Sequence, residues 1–264
     1  KALLDNYDGY VVATPADTHF EIAKEIIKTG KPLLIEKPMT LSVSKAEELI
    51  KLAEINHVDL MVGHVLLFHP AIIKIKNLID SGSIGDIQYV YSNRLNLGKV
   101  RTQENVFWSF APHDIAVFQY LINSTPIKVN SFGSSFLQKN INDSTITHLE
   151  YKNGTKGHIF VSWLHPFKEH RLVVVGSEAM ITFEDSKNDR PLKYYSKKFE
   201  NTKGDFEKID GPVKLISYDK KMPLTAELEY FISCINSEKI EISNGKDGLE
   251  VVKVLAKASK QLGK

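Results

Sequence analysis

The spacing of apolar residues changes character along this chain. Residues 8–15, DGYVVATP, form an apolar run ending in Thr-Pro and predict a buried strand. In THFEIAKEIIKTG, residues 18–30, the residues Phe20, Ile22, Ala23, Ile26 and Ile27 fall on one helical stripe that Gly30 closes. Leu33 to Ile35 predict a second strand, and DLMVGHV, residues 59–65, a third. Between them SVSKAEELIKLAEINH predicts a helix with Ser42 or Ser44 at its N-cap. Strand, helix, strand, helix, strand with short connections predicts parallel strands in a doubly wound sheet.

Beyond residue 65 the pattern shifts. HPAIIKIKNLIDSGSIG predicts a helix ended by a glycine-containing turn. DIQYVYSNRLNLG then alternates, with Ile87, Tyr89 and Tyr91 on one face and Gln88, Ser92 and Arg94 on the other. Strands are expected to continue over residues 127–198, with hairpins about Asn153-Gly154 and Gly176-Ser177. SFAPHDIAVFQYLI reads as a helix, as do TAELEYFISCINS and GLEVVKVLAKASKQLG. Residues 201–211, NTKGDFEKIDG, read as the most loop-like segment. The expected fold class is α/β. A partial Rossmann-type parallel sheet over 1–65 leads into an α+β domain over 66–264, with a large, mostly antiparallel open sheet.

Composition narrows the function. The 264 residues are 42% hydrophobic and 25% charged, the balance of a globular protein. A net charge of +2 without basic blocks gives no footprint for nucleic acid or an anionic membrane. No apolar run approaches the roughly 20 residues of a membrane span. The one cysteine, Cys234, sits in a helical pattern and reads as a core thiol, which leaves no internal disulfide and no thiolate metal site. His69, His158, His165 and His170 lack metal-ligand spacing and read as structural or surface residues. No metal is expected.

The chemistry points to strand ends. Ligands of open parallel sheets collect at the carboxyl ends of the strands. Three such ends carry Thr14-Pro15, Glu36-Lys37-Pro38 and Gly63-His64. Pro38 restricts Lys37 to an extended conformation at the mouth of the crevice. Glu36 is placed to hold a ligand hydroxyl or Lys37. The alternative is a solvated charged pair ahead of a helix.

The stretch VVATPADTHFEIAKEIIKTGKPLLIEKPMT resembles the Gfo/Idh/MocA family of NAD(P)-dependent sugar oxidoreductases. The residues that carry the likeness are Ala13, Thr14, Pro15 and His19, then Gly30-Lys31, then Glu36-Lys37-Pro38. It continues through HPAIIKIKNLIDSGSIGDI, APHDIAVFQYLI and GSEAMITF and covers essentially the whole chain. The family opens with a strand, a G-x-G-x-x-G turn and a helix, and no such turn occurs in these 264 residues. By the resemblance, about two βα units, on the order of 60 residues, are expected ahead of Lys1. The acidic residue that would hold the adenosine ribose is likewise not in the sequence, so NAD and NADP both remain open as cofactor.

The resemblance implies a hydride transfer with Lys37 and His113 as catalytic residues, and Thr14, Pro15, His19, Glu36, Lys37 and His64 around the cofactor. His19 reads equally as a structural hydrogen-bonding group. His113, behind Pro112, is expected at the start of a helix, where the N-terminus favours a neutral, base-competent imidazole. Many family members carry an aspartate four residues before this histidine, where this chain has Ser109. Asp114 either replaces that carboxylate at the substrate or caps the helix. Arg94 and Arg101 flank a loop toward His113 and are suited to clamp a diphosphate, or else stand exposed.

This pattern is most similar to the branch acting on nucleotide-linked amino sugars such as UDP-N-acetylglucosamine or its uronate, oxidised at C3. The alternatives are a free-sugar or inositol dehydrogenase, and a non-catalytic cofactor-binding regulator on the same fold. The expected partners are a sugar or UDP-sugar substrate and a second copy of the chain, as homodimer or homotetramer through the open sheet face. Neither nucleic acid nor membrane is expected, and the expected location is the cytoplasm.

Overall fold

The structure, a computed structural model, describes residues 7–236 and 239–263. The chain forms two compact units. The first ends at His69 and resumes over Lys221–Lys257; the second holds Pro70–Lys220 and the residues from Ala258 on.

In the first unit β1 (Tyr10–Val12), α1 (His19–Ile27), β2 (Leu33–Glu36), α2 (Val43–Ile55) and β3 (Leu60–Gly63) follow in the order the periodicity predicts. The strands lie side by side as β1-β2-β3, all parallel, with Val12 opposite Ile35 and Ile35 opposite Val62. Alternation explains the core. Leu33, Ile35 and Val62 pack with Phe20, Ala23 and Ile27 of α1 and with Ala46 and Leu49 of α2. Leu34 and Met61 point to the opposite face and are buried as well, as parallel strands require. Gly30, at φ +74°, ends the α1 region in a conformation that glycine adopts without a Cβ clash.

The rest of this unit comes from far along the chain. α5 (Pro223–Ile235) packs on the short 3₁₀ turn Val65–Phe68 that follows β3. The Tyr230 and Phe68 rings meet at 5.3 Å. The Val62 amide donates to the Ser243 carbonyl at 2.7 Å, and the Ser243 hydroxyl returns a bond to the Val62 carbonyl at 2.5 Å. Helix α6 (Gly245–Gln261) starts in this unit and places its last residues in the other. The expected second domain, 66–264, is therefore interrupted: 221–257 fold with the first unit, because the buried stripe of α5 and the backbone at Ser243 find their partners on β3 and the turn after it.

The second unit contains α3 (Pro70–Asp80), β4 (Ile87–Leu95), α4 (Val106–Ile122), β5 (Pro126–Ser134), β6 (Ser144–Tyr151), β7 (Lys156–Ser162), β8 (Glu169–Gly176), β9 (Met180–Glu184), β10 (Leu192–Thr202) and β11 (Asp205–Leu215). These strands form one sheet in the order β11-β10-β9-β8-β4-β7-β6-β5. Its pairs are antiparallel except β4 with β7. Both predicted hairpins are present, as β6–β7 around Asn153-Gly154 and β8–β9 around Gly176-Ser177.

Helix α4 lies on β4, β7 and β6, and α3 packs against α4. Contact is close: a Cβ on Gly157 would sit 2.8 Å from the Val90 carbonyl oxygen and 3.2 Å from the Phe118 ring. On β4 Val90, Ser92 and Leu95 are buried, while Tyr89 and Tyr91 are half-buried. Tyr91 stacks flat on His158, with ring centres 5.0 Å apart. Phe132 and Ile146 are exposed.

One segment departs from expectation. Residues 201–211 are not a loop but the hairpin joining β10 to β11, with Lys203 and Gly204 at positive φ in its two-residue turn. The Asn201 side chain accepts from the Gly204 amide at 2.9 Å. This edge hairpin is solvated on both faces, so it carries no apolar alternation to read. Among the described residues, no helix is long and apolar enough to cross a membrane.

Candidate active site

The first unit presents its three strand ends side by side. After β1, the Thr18 hydroxyl lies 2.7 Å from both the Thr14 hydroxyl and the Pro15 carbonyl. His19 is 1% exposed. Its Nδ1 is 3.0 Å from the Pro38 carbonyl and its Nε2 2.8 Å from the Thr14 carbonyl. The ring lies between two backbone oxygens, to one of which a neutral imidazole donates, and so links the end of β1 with the end of β2. It stands beside Thr14 and Pro38, at the ends of the two strands.

After β2, the Lys37 amide donates to Glu36 Oε2 at 3.2 Å, and the Lys37–Pro38 peptide is cis. The Glu36 carboxyl folds over Gly63 on the neighbouring strand. A Cβ there would lie 3.2 Å from that carboxyl, so the glycine leaves room for the acid.

After β3 comes His64, 1% exposed, whose two ring nitrogens find no hydrogen-bond partner among the described residues. Burial, and then the Lys37 cation, pull its pKa down to about 3. The imidazole is neutral across the working range. Below its ordinary value of 6.5 the unfolded chain takes up a proton here and the folded one does not. Stability is therefore intact above that value and falls as pH drops toward about 3, by about 1.4 kcal/mol per pH unit for this ring. Urea unfolding across that window should show a shallower acid slope in His64→Phe than in the natural protein. An unchanged slope would mean the ring titrates freely in the folded state.

A fourth group was not foreseen. Glu227 on α5 is 1% exposed, and neither of its oxygens has a partner among the described residues. Burial, and then the charge of Glu36, push its carboxyl up to about 8. The available signal was an acid on the buried stripe of a helix, in step with Phe231 and Cys234.

In the second unit, α4 begins at Val106, earlier than Pro112 suggests. Asn105 caps it, its side-chain oxygen accepting from the Trp108 amide at 3.1 Å, and Val106 and Phe107 are buried in the first turn. His113 therefore stands in the third turn, not at the helix start. The N-terminal field fades within one turn and does not act on it. Ser109 sits one turn before it on the same side of the helix.

Asp114 is not a cap. It takes Arg94 of β4 in a two-point bond, Nε to Oδ2 at 2.8 Å and Nη2 to Oδ1 at 3.1 Å. Both side chains are largely buried, at 13% and 7% exposure. Arg94 also approaches His170 Nδ1 at 3.4 Å. The pair is thus committed internally. It pins the helix residue next to His113 to the sheet, and neither member stands open for substrate as expected. Arg101 is exposed in the irregular stretch before α4, where its carbonyl accepts from the Gln138 side chain at 2.8 Å. Among the described residues, no cluster of three or more His, Cys, Asp or Glu could hold a metal ion.

Residues 1–64 match the profile described as "Oxidoreductase family, NAD-binding Rossmann fold", and residues 72–182 match "GFO/IDH/MocA C-terminal domain". Together the two span well over half of the chain. The chain belongs to the Gfo/Idh/MocA family. Members of this family are NAD(P)-dependent sugar oxidoreductases.

Among relatives, the UDP-N-acetylglucosamine 3-dehydrogenase of Acidithiobacillus ferrooxidans is 27% identical over 254 residues, 95% of this chain and 77% of its own. The inositol 2-dehydrogenase of Rhizobium meliloti is 24% identical over 258 residues, 92% of this chain and 74% of its own. The solved structure of the Acidithiobacillus enzyme shares the fold, with a TM-score of 0.85 over all of this chain and 82% of that one, at 24% identity.

Proposed function

We propose that this chain oxidises a ring hydroxyl, at C3, of a nucleotide-linked amino sugar such as UDP-N-acetylglucosamine, using NAD or NADP. The observation that carries this reading is Lys37 at the carboxyl end of the middle strand of the parallel sheet, flanked by the ends that bear Thr14 and His64. That donor set suits the nicotinamide end of the cofactor. His64 offers a neutral ring with both nitrogens unspent, and Thr14 a hydroxyl. These residues with Lys37 would hold it, and it would supply the hydride acceptor. The G-x-G-x-x-G turn for the pyrophosphate is not within these residues.

The protein must then remove the hydroxyl proton as the carbonyl forms. Lys37 holds the reacting oxygen, and His113 takes the proton as general base. Arg101 and Lys99 add positive charge before α4, suited to the diphosphate of a sugar nucleotide. The sugar-nucleotide choice is supported by the likeness to the Acidithiobacillus enzyme along 95% of the chain.

A side-by-side assay of the complete enzyme with UDP-N-acetylglucosamine, N-acetylglucosamine and myo-inositol tests the substrate. The UDP-sugar should give the highest kcat/KM, and Arg101→Ala should raise KM more than it lowers kcat, since the diphosphate is remote from the reacting carbon. Equal or better turnover of the uncharged compounds would transfer the reading to a free-polyol dehydrogenase, in line with the inositol enzyme among the relatives.

A further inference from the structure

The stretch between β4 and α4 holds Lys99 and Arg101 and has no regular structure of its own. Its position is therefore set by what its backbone meets. Both ends are fastened. The Asn96 amide donates to the Ser162 carbonyl at 3.1 Å, and the Val106 amide to the Asn142 carbonyl at 3.0 Å. Between them Gln138 Nε2 donates to the Arg101 carbonyl at 2.8 Å. Two of these three bonds come from one loop, residues 135–143, which joins β5 to β6.

That loop stands on Asp143, which is fully buried. One carboxyl oxygen of Asp143 accepts from the Phe136 amide and, at 2.8 Å, from the Leu137 amide. The Asp143 amide donates to the Ser134 carbonyl at 2.8 Å, and its carbonyl accepts from the Trp163 amide at 2.9 Å. Beyond Leu137 the chain reverses in a turn with Asn140 at φ +65°, and the Ile141 amide comes within 3.4 Å of the Gln138 carbonyl. Gln138 is half-buried in this braced turn, between exposed neighbours.

Positive charge gathers on the two joined segments. Lys99 and Arg101 lie on one and Lys139, next to Gln138, on the other, all three exposed. Across residues 96–105 and 135–142, Glu104 is the one acid. Among the described residues none of the three cations forms an ion pair. An arginine with a fixed backbone and an unspent side chain is arranged to receive an anion, because much of the ordering is done before the ligand arrives.

We propose that Gln138 is a positioning residue for Arg101, and that the loop over 135–142 thereby sets the preference for a substrate bearing a diphosphate. The bond to the Arg101 carbonyl limits the region that the guanidinium sweeps. Without it the same charge is spread over a larger volume, and each phosphate contact costs more entropy. This deepens the proposed function and rests on the role given there to Arg101.

The first test needs no ligand. Trypsin cuts after Arg101 at a rate that follows how often the segment opens. Gln138→Met keeps the length of the side chain and removes the donor. It should speed cleavage between Arg101 and Thr102 by about fivefold or more, the scale of one lost hydrogen bond. Cleavage after Lys203, in the exposed turn between β10 and β11, should stay as in the natural protein. An unchanged rate at Arg101 would overturn the proposal whatever the enzyme acts on.

The second test measures UDP binding to the complete enzyme, saturated with reduced cofactor so that the dinucleotide site is filled. Gln138→Met should weaken UDP by about fivefold, and Arg101→Ala by more. The double variant should bind no worse than Arg101→Ala, since a residue acting through Arg101 has nothing to position once the guanidinium is gone. Additive losses would mean that Gln138 acts on the ligand by another route, and the positioning role would be wrong. A natural enzyme that ignores UDP, while Gln138→Met still opens Arg101 to trypsin, would count against the sugar-nucleotide reading and leave the tether standing.

Discussion

Alanine in place of Lys37 or of His113 is expected to cut the turnover of the complete enzyme by roughly 10²-fold or more, the usual scale of a lost general acid–base group. The two losses should differ in kind. Lys37 sits where β2 ends, its amide held by Glu36 and its neighbour Pro38 held by His19. Lys37→Ala keeps that backbone frame, so the fold should persist while the chemistry is lost. His113 lies within a helix that Asn105 caps and Arg94 anchors through the next residue. Its removal should likewise spare the fold and flatten the acid limb of the kcat profile. Steady-state kinetics over pH, with circular dichroism as the control for folding, decide the matter. Near-natural turnover in either variant would strip that residue of its assigned role.

The second large effect is on stability. Asp114→Ala should destabilise the protein by about 3–5 kcal/mol, because it strands the Arg94 guanidinium in a largely buried place. The guanidinium cannot escape by losing its proton, so it must drag in water or shift the helix. Asp114→Asn, which keeps one hydrogen bond, should cost less. The double replacement Arg94→Met with Asp114→Leu should recover much of the loss, since burying two apolar groups avoids desolvating two charges. Urea denaturation of these proteins, with Arg94→Met and Asp114→Leu also made singly, gives the coupling. A single-mutant loss below about 0.5 kcal/mol, the range of a surface pair, would show the bridge to be effectively solvated.

What could be read in the sequence, and what could not, follows from the range of the interactions involved. β2 and β3 were legible because strands buried on both faces read as unbroken apolar runs, β1 because its short apolar run stops at Thr14-Pro15, and Gly30 punctuates the helix between the first two. The hairpins at Asn153-Gly154 and Gly176-Ser177 were legible because a turn is local. The start of α4 was misplaced because Pro112 resembles a first-turn proline. The chain instead accepts it inside the helix, behind a cap seven residues earlier. The hairpin over 201–211 has no buried face and so no period to detect. Lys37 was visible from its place after a strand. The bond between Arg94 and Asp114 was not, since twenty residues separate two charges that each looked solvent-facing. Nor does the stripe of α5 state which sheet it will cover, so Glu227 stayed hidden with it.

The return of Lys221–Lys257 to the first unit sets an order of assembly during synthesis. Domains usually fold in the order in which they leave the ribosome. Here the second unit has all its strands once residue 220 has emerged, while β3 still waits for Ser243 and the turn after it for α5. The strand ends that carry Lys37 and His64 are made long before the helix that packs on the turn after β3. The nascent chain should thus resist protease over β4–β11 earlier than over β1–β3, and a chaperone that shields apolar strands would be needed longer by β1–β3 than by the strands made after them.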